Sequence, residues 1–134
     1  MAVLFLLGRL IFGGYFIVSG LNHFMSYGQF VAFAAAKGVP MAELAIPVSG
    51  ALLLFGGTSI LLGWRPLLGI GAIVLFLLAV TFPMHNFWAE TGAARMNDLI
   101  NFMKNIALVG GTLMFVAVPR PWAYSVEAPA RVRI

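Results

Sequence analysis

PLLGIGAIVLFLLAVTFPMHNF, residues 66–87, contains no charged side chain, and it decides which solvent this chain folds in. A helix needs roughly 20 apolar residues to cross the hydrocarbon core of a bilayer. This run is long enough, and Pro66 suits a first helical turn, where its missing N–H is not needed. Immediately before it, only Gly63-Trp64-Arg65 separates a second apolar run, from about Leu44 to Trp64. A connection that short forces an antiparallel hairpin. Further out lie a run from about Val3 to Phe24 and one from about Leu99 to Val118, which stops at Pro119-Arg120-Pro121. Prolines 47 and 83 and the many glycines are tolerated by helices in lipid. The expected fold is all-α: a four-helix antiparallel transmembrane bundle over residues 1–118, with spans at about 3–24, 44–64, 66–87 and 99–118. Residues 119–134 are expected to form a short, extended cytoplasmic tail. The loop from Met25 to Met41 has room for a short interfacial helix.

Composition agrees. The 134 residues are 62% hydrophobic and 9% charged, against about 25% charged in a soluble domain. The net charge is +4, but the basic residues are scattered singly, so no stripe tracks phosphates and nucleic acid is not an expected partner. There is no cysteine, which removes disulfides, thiolate nucleophiles and Cys-ligated metals. His23 and His85 are the only histidines, so no dedicated transition-metal site is expected. Arg9 interrupts the first apolar run, which therefore fits a retained span that doubles as the insertion signal better than a cleaved leader. Small residues at Ala45-x-x-x-Ser49 and Ala107-x-x-x-Gly111 have the spacing for close helix contact. The bias of positive charge places Arg65, Arg120, Arg131, Arg133 and Arg9 on one side and Lys37, Arg95 and Lys104 on the other. Both termini are accordingly expected in the cytoplasm.

Polar residues at membrane depth carry the functional information. One group gathers at the face opposite the termini: His23, then His85-Asn86-Phe87-Trp88, then Asn97, Asp98, Asn101, Lys104 and Asn105. Helical spacing sets Asn97, Asn101, Lys104 and Asn105 on one stripe. With His85, Asn86 and Trp88, that stripe is expected to line a shared ligand pocket; anchoring of helix ends in headgroups is the competing reading. The second feature is Arg9, about 20 Å from Phe24 along a helix. A charge at such depth is costly, by roughly 2.5–3.5 kcal/mol. No carboxylate lies level with it, and depth matching points to Thr58, Ser59, Thr112 and backbone carbonyls as its support. Arg9 then either snorkels to cytoplasmic water or binds an anion or a quinone oxygen. No acid–base pair is visible, and no catalytic residue is assigned.

The motifs have a precedent in one family. Leu7-Gly8-Arg9-Leu10, Ser19-Gly20-Leu21-Asn22-His23-Phe24, Leu54-Phe55-Gly56-Gly57, His85-Asn86-Phe87-Trp88 and Phe102-Met103-Lys104-Asn105-Ile106-Ala107-Leu108-Val109-Gly110-Gly111 occur in this order over nearly the whole chain. In these the sequence resembles the DoxX family of small four-helix membrane proteins. The resemblance implies membrane placement and a role beside envelope redox or stress-response complexes, the family name deriving from a subunit of a thiosulfate:quinone oxidoreductase. One departure is Leu53, where many relatives carry a glutamate, so a buried Arg–Glu pair is not available here. The functional expectation is an accessory subunit of a membrane redox complex, in the inner membrane, that binds a quinone or other lipophilic small molecule and requires no resident cofactor. Such a protein has the lipid bilayer, a redox partner subunit and a second copy of itself as candidate partners. A non-enzymatic interaction protein without a ligand is the alternative. A small multidrug transporter has the same span count but relies on a carboxylate in its first span, and this chain has none there.

Overall fold

A computed structural model describes residues 1–127. Its helices are α1 (Ala2–Met25), α2 (Tyr27–Ala36), α3 (Ala42–Leu62), α4 (Pro66–Met84) and α5 (Gly92–Met114), with 3₁₀ turns at Phe87–Ala89 and Phe115–Ala117. Four of these elements, all but the short α2, are long and apolar enough to cross a membrane. The protein is thus an all-α, antiparallel transmembrane bundle. α1 packs on α3, α3 on α4 and α4 on α5, so both termini share one end. α2 lies at the far end, in the loop that had room for it.

Helix boundaries differ from the apolar runs for a physical reason. α5 begins at Gly92, well before the run at Leu99, and its opening turns carry Arg95, Asn97 and Asp98. Hydropathy sees only the lipid-compatible part, whereas the backbone hydrogen bonds of a helix continue wherever polar side chains reach water or each other. α4 stops at Met84, and His85 leaves the helical region with φ −125° and ψ 50°.

The seam between α1 and α3 is set by glycine. The buried positions of α1 are Arg9, Gly13, Phe16, Gly20 and His23, an alternating four-and-three spacing that keeps one stripe facing a partner. A Cβ on Gly13 would lie 2.6 Å from the Gly57 carbonyl oxygen, and one on Gly57 2.7 Å from that of Gly13. A Cβ on Gly20 would come within 3.0 Å of Gly50 O. The backbones therefore touch, as small residues permit in membranes. These glycines make the close contacts, while Ala107 of the expected Ala107-x-x-x-Gly111 pair faces outward. Around the seam, Phe16, Leu53, Ile60, Ile70, Ile73, Phe76 and Leu77 form the apolar core. Leu53 is fully buried there, in place of any carboxylate.

The segment after α5 is not the free tail expected for residues 119–134. Trp122 is 1% exposed and packs edge-on to Phe5 at 5.2 Å between ring centroids and tilted against Phe115 at 5.6 Å. The Val126 N–H donates to Leu62 O at 3.0 Å, and the Arg65 N–H donates to Glu127 Oε1 at 2.8 Å. An aromatic indole and freed backbone carbonyls gave the segment something to bury and something to bond. The rest of the expected tail, residues 128–134 with Arg131 and Arg133, lies outside the described residues.

Candidate functional site

At the far end the polar groups organise around Lys37, which follows α2. Its ammonium donates to Asp98 Oδ2 at 2.7 Å, Glu90 Oε1 at 2.9 Å and Asn86 Oδ1 at 3.2 Å. The other oxygen of Asp98 lies 3.4 Å from His85 Nδ1. The Asp98 hydrogen bond, followed by that of Glu90, raises the Lys37 pKa above the ordinary lysine value. This network ties α2, the turn after α4 and α5 together. Sequence reasoning took Lys37 for a loop charge; the available signal was that Glu90 and Asp98 fall on the same side of the membrane.

The expected polar stripe of α5 divides. Asn97 and Lys104 are exposed, Asn101 is half-buried, and Asn105 is buried. The Asn101 side-chain N–H donates to Asn97 O at 2.9 Å, and Lys104 donates to Asn101 Oδ1 at 2.9 Å. This ladder climbs the outside of the bundle, so Asn101 and Lys104 do not line a pocket with His85 and Asn86. Trp88 is 58% exposed and joins an aromatic group with Phe87 and Phe102, away from the Lys37 network. The buried face of α5 is Asp98, Asn105 and Thr112, one residue every two turns. The buried positions of α5 are thus all polar, although Leu108 and Val109 also pack against the apolar core.

His23 and Asn105 are two further polar residues on the buried faces of α1 and α5. His23 is 6% exposed, and its Nδ1 lies 2.8 Å from Ser19 O. A carbonyl only accepts, so Nδ1 carries the proton and Nε2 is left as an acceptor. The ring stacks on Phe30 at 4.6 Å and meets Phe76 edge-on at 5.9 Å. Asn105 is 7% exposed. Neither His23 Nε2 nor the Asn105 amide has a hydrogen-bond partner among the described residues. Phe82 of α4 touches Phe102 of α5 at 5.6 Å. Counting rises of 1.5 Å per residue inward from that contact puts Asn105 about 5 Å and Phe76 about 9 Å deeper. His23, beside Phe76, and Asn105 therefore lie within about a helical turn of the same depth.

Arg9 sits near the opposite end and is 0% exposed, so it does not snorkel to water. Nε donates to Ile60 O at 3.1 Å, one terminal nitrogen to Leu61 O at 2.8 Å and the other to Ala123 O at 2.7 Å. Ile60 and Leu61 belong to the last turn of α3, whose carbonyls have no intrahelical donor and carry the negative end of the helix dipole. Phe5 and Trp122 flank the guanidinium at 5.6 and 5.5 Å. The backbone-carbonyl part of the expectation holds, and the hydroxyl part does not. Thr58 is exposed, Ser59 Oγ donates to Trp64 O at 2.5 Å, and Thr112 Oγ1 donates to Leu108 O at 2.7 Å. Short hydroxyls satisfy their own helix first, because an i−4 carbonyl or a following turn is always within reach.

The architecture has relatives. The chain is 30% identical over 127 residues to the inner membrane protein YphA of Escherichia coli (strain K12), an alignment covering 93% of this chain and 89% of that protein. No solved structure matches. A family model described as DoxX matches residues 4–86, which hold nearly all of α1 to α4, the Gly13–Gly57 contact and the Arg9 cage except for Ala123 O and the Trp122 ring. With most of the chain so matched and the four-span bundle in place, the protein belongs to the DoxX family.

Proposed function

We propose that the protein is an accessory subunit of an inner-membrane redox complex that binds a quinone or another lipophilic small molecule between α1, α4 and α5. One observation carries the reading: His23 and Asn105 are at most 7% exposed and similar in depth, neither His23 Nε2 nor the Asn105 amide is hydrogen-bonded among the described residues, and the His23 ring lies against Phe30 and Phe76. A ligand with matching groups supplies the hydrogen bonds that these two side chains do not make within the protein. A quinone carbonyl accepts from the Asn105 amide, and a quinol hydroxyl donates to His23 Nε2. The aromatic rings supply the stacking surface that such a ring prefers. Electron transfer itself falls to a partner subunit, since this chain offers no thiol and no flavin or nucleotide motif. The name of the Escherichia coli relative supports the inner membrane, and the arginine bias supports termini in the cytoplasm.

The test is a titration of the detergent-solubilised protein with a short-chain ubiquinone, followed by tryptophan fluorescence. Saturable quenching is expected, weakened at least tenfold by His23→Ala and by Asn105→Ala and unchanged by His85→Ala. A linear, non-saturating response, or identical curves for all variants, overturns the reading. The α1–α3 glycine seam and the outward ladder of α5 favour a second reading, a non-enzymatic interaction protein. A partner complex that forms equally well in quinone-free membranes supports it.

A further inference from the structure

The outer face of α5 combines small and flexible side chains with a charge. Met96, Ile100, Met103, Ala107, Gly110 and Met114 are all exposed and follow the same four-and-three spacing as the buried seam of α1. A Cβ on Gly110 would meet nothing within 4 Å. This face narrows to Ala107 and Gly110, the residue sizes that let a second helix approach closely. Flexible methionines line adaptable contact surfaces. Only 11% of the most apolar window of α5 is buried inside the bundle, against 44% for that of α4 with its following turn.

Beside this face stands Lys104, an exposed cation six residues inward of Asp98, whereas the exposed Arg95 lies in the opening turn of the same helix. Arg9 is caged by carbonyls and rings, and Lys37 has two carboxylates. Lys104 has one neutral acceptor, Asn101 Oδ1. It lies about 9 Å from Asp98 along the helix. The chain has four carboxylates. Glu90 and Asp98 are held by Lys37, Glu127 accepts from the Arg65 N–H, and Glu43 opens α3, away from this face. A two-fold dimer on α5 would bring Lys104 against Lys104, since such an interface pairs each patch with itself. The face is complementary to a different helix, one that bears an acid.

We infer that the exposed face of α5 docks a transmembrane helix of a different protein, one carrying an aspartate or glutamate at the depth of Lys104. Its small side chains pack over Ala107 and Gly110, and its carboxylate pairs with the Lys104 ammonium at the rim. This surface is separate from His23 and Asn105, and its test needs no quinone.

The test is cross-linking in intact membranes of the native host, using the full chain with a photoreactive phenylalanine analogue at Met103 and, as a lipid-facing control, at Leu75. The inference expects an adduct with one other membrane protein from position 103 and none from 75. Lys104→Glu and Lys104→Gln should each reduce the adduct at least tenfold while leaving the thermal unfolding of the purified protein unchanged. Lys104→Glu combined with acid→Lys in the cross-linked helix should restore it. An adduct between two copies of this chain, an adduct indifferent to Lys104, failure of the charge swap, or cross-linking to lipid alone overturns it.

Discussion

Lys37 and Arg9 show two ways to hold a cation where it is costly. Lys37 uses two carboxylates; Arg9 uses the last carbonyls of α3, an acceptor every helix end provides. Lysine is a point donor and can collect ligands from several directions, whereas the planar fork of arginine suits divergent carbonyls and aromatic faces. The raised pKa of Lys37 has a definite consequence for pH. A base whose folded pKa lies above its unfolded value stabilises the fold in full below the unfolded pKa, about 10.4 for lysine, and loses that contribution as pH rises through the raised value. Thermal unfolding in detergent should thus be insensitive to this group from neutral pH to roughly 9.5. Asp98→Asn should cost about 1.5–3 kcal/mol at pH 8, and the gap to the parent protein should shrink at strongly alkaline pH as Lys37 loses its charge in both. A gap that stays constant up to loss of the fold would show that Asp98 acts without Lys37.

Helices here are specified by hydropathy and positioned by glycine. Gly13 and Gly57 place one backbone on another, so the α1–α3 distance has no slack. Gly57→Leu should force the helices apart and lower stability by about 1–3 kcal/mol or more. Gly14→Leu, one residue along from Gly13 but with nothing within 4 Å of its Cβ, should be close to neutral. Circular dichroism melts of the two variants decide the matter, and equal losses would mean that leucine is resisted for reasons other than helix contact. The periodicity that marks Arg9, Gly13, Phe16, Gly20 and His23 as one stripe is present in the letters. What the letters do not mark is which helix that stripe faces, because α3 and α4 both carry small residues and both run antiparallel to a neighbour.

Across the whole molecule, the ends of the chain meet at Arg9. Residue 123 supplies one of its three carbonyls and Trp122 one of its two rings, so the segment after α5 closes the bundle that α1 opens. Trp122→Ala removes a fully buried indole, for which about 3–5 kcal/mol is the usual loss. Combined with Arg9→Lys, it should lose less than the sum of the single changes, because both act on one contact. Additive losses in a thermal-unfolding cycle would separate the tail from the arginine.

The sequence by itself determined the solvent and the spans, because a chain with so few charges is poorly matched to water, and apolar runs of about 20 residues bond their own backbone in lipid as helices. It also marked the residues that matter, since a polar side chain in such a run is costly and therefore rare. Tertiary structure alone decided their partners. A hydrogen bond depends on position to a fraction of an ångström, and sequence spacing fixes the rotation of a helix only to the nearest residue. Asn86 thus found Lys37 and His85 found Asp98, Arg9 found carbonyls and not hydroxyls, and Asn105 turned inward away from the Lys104 ladder it shares a stripe with in the letters.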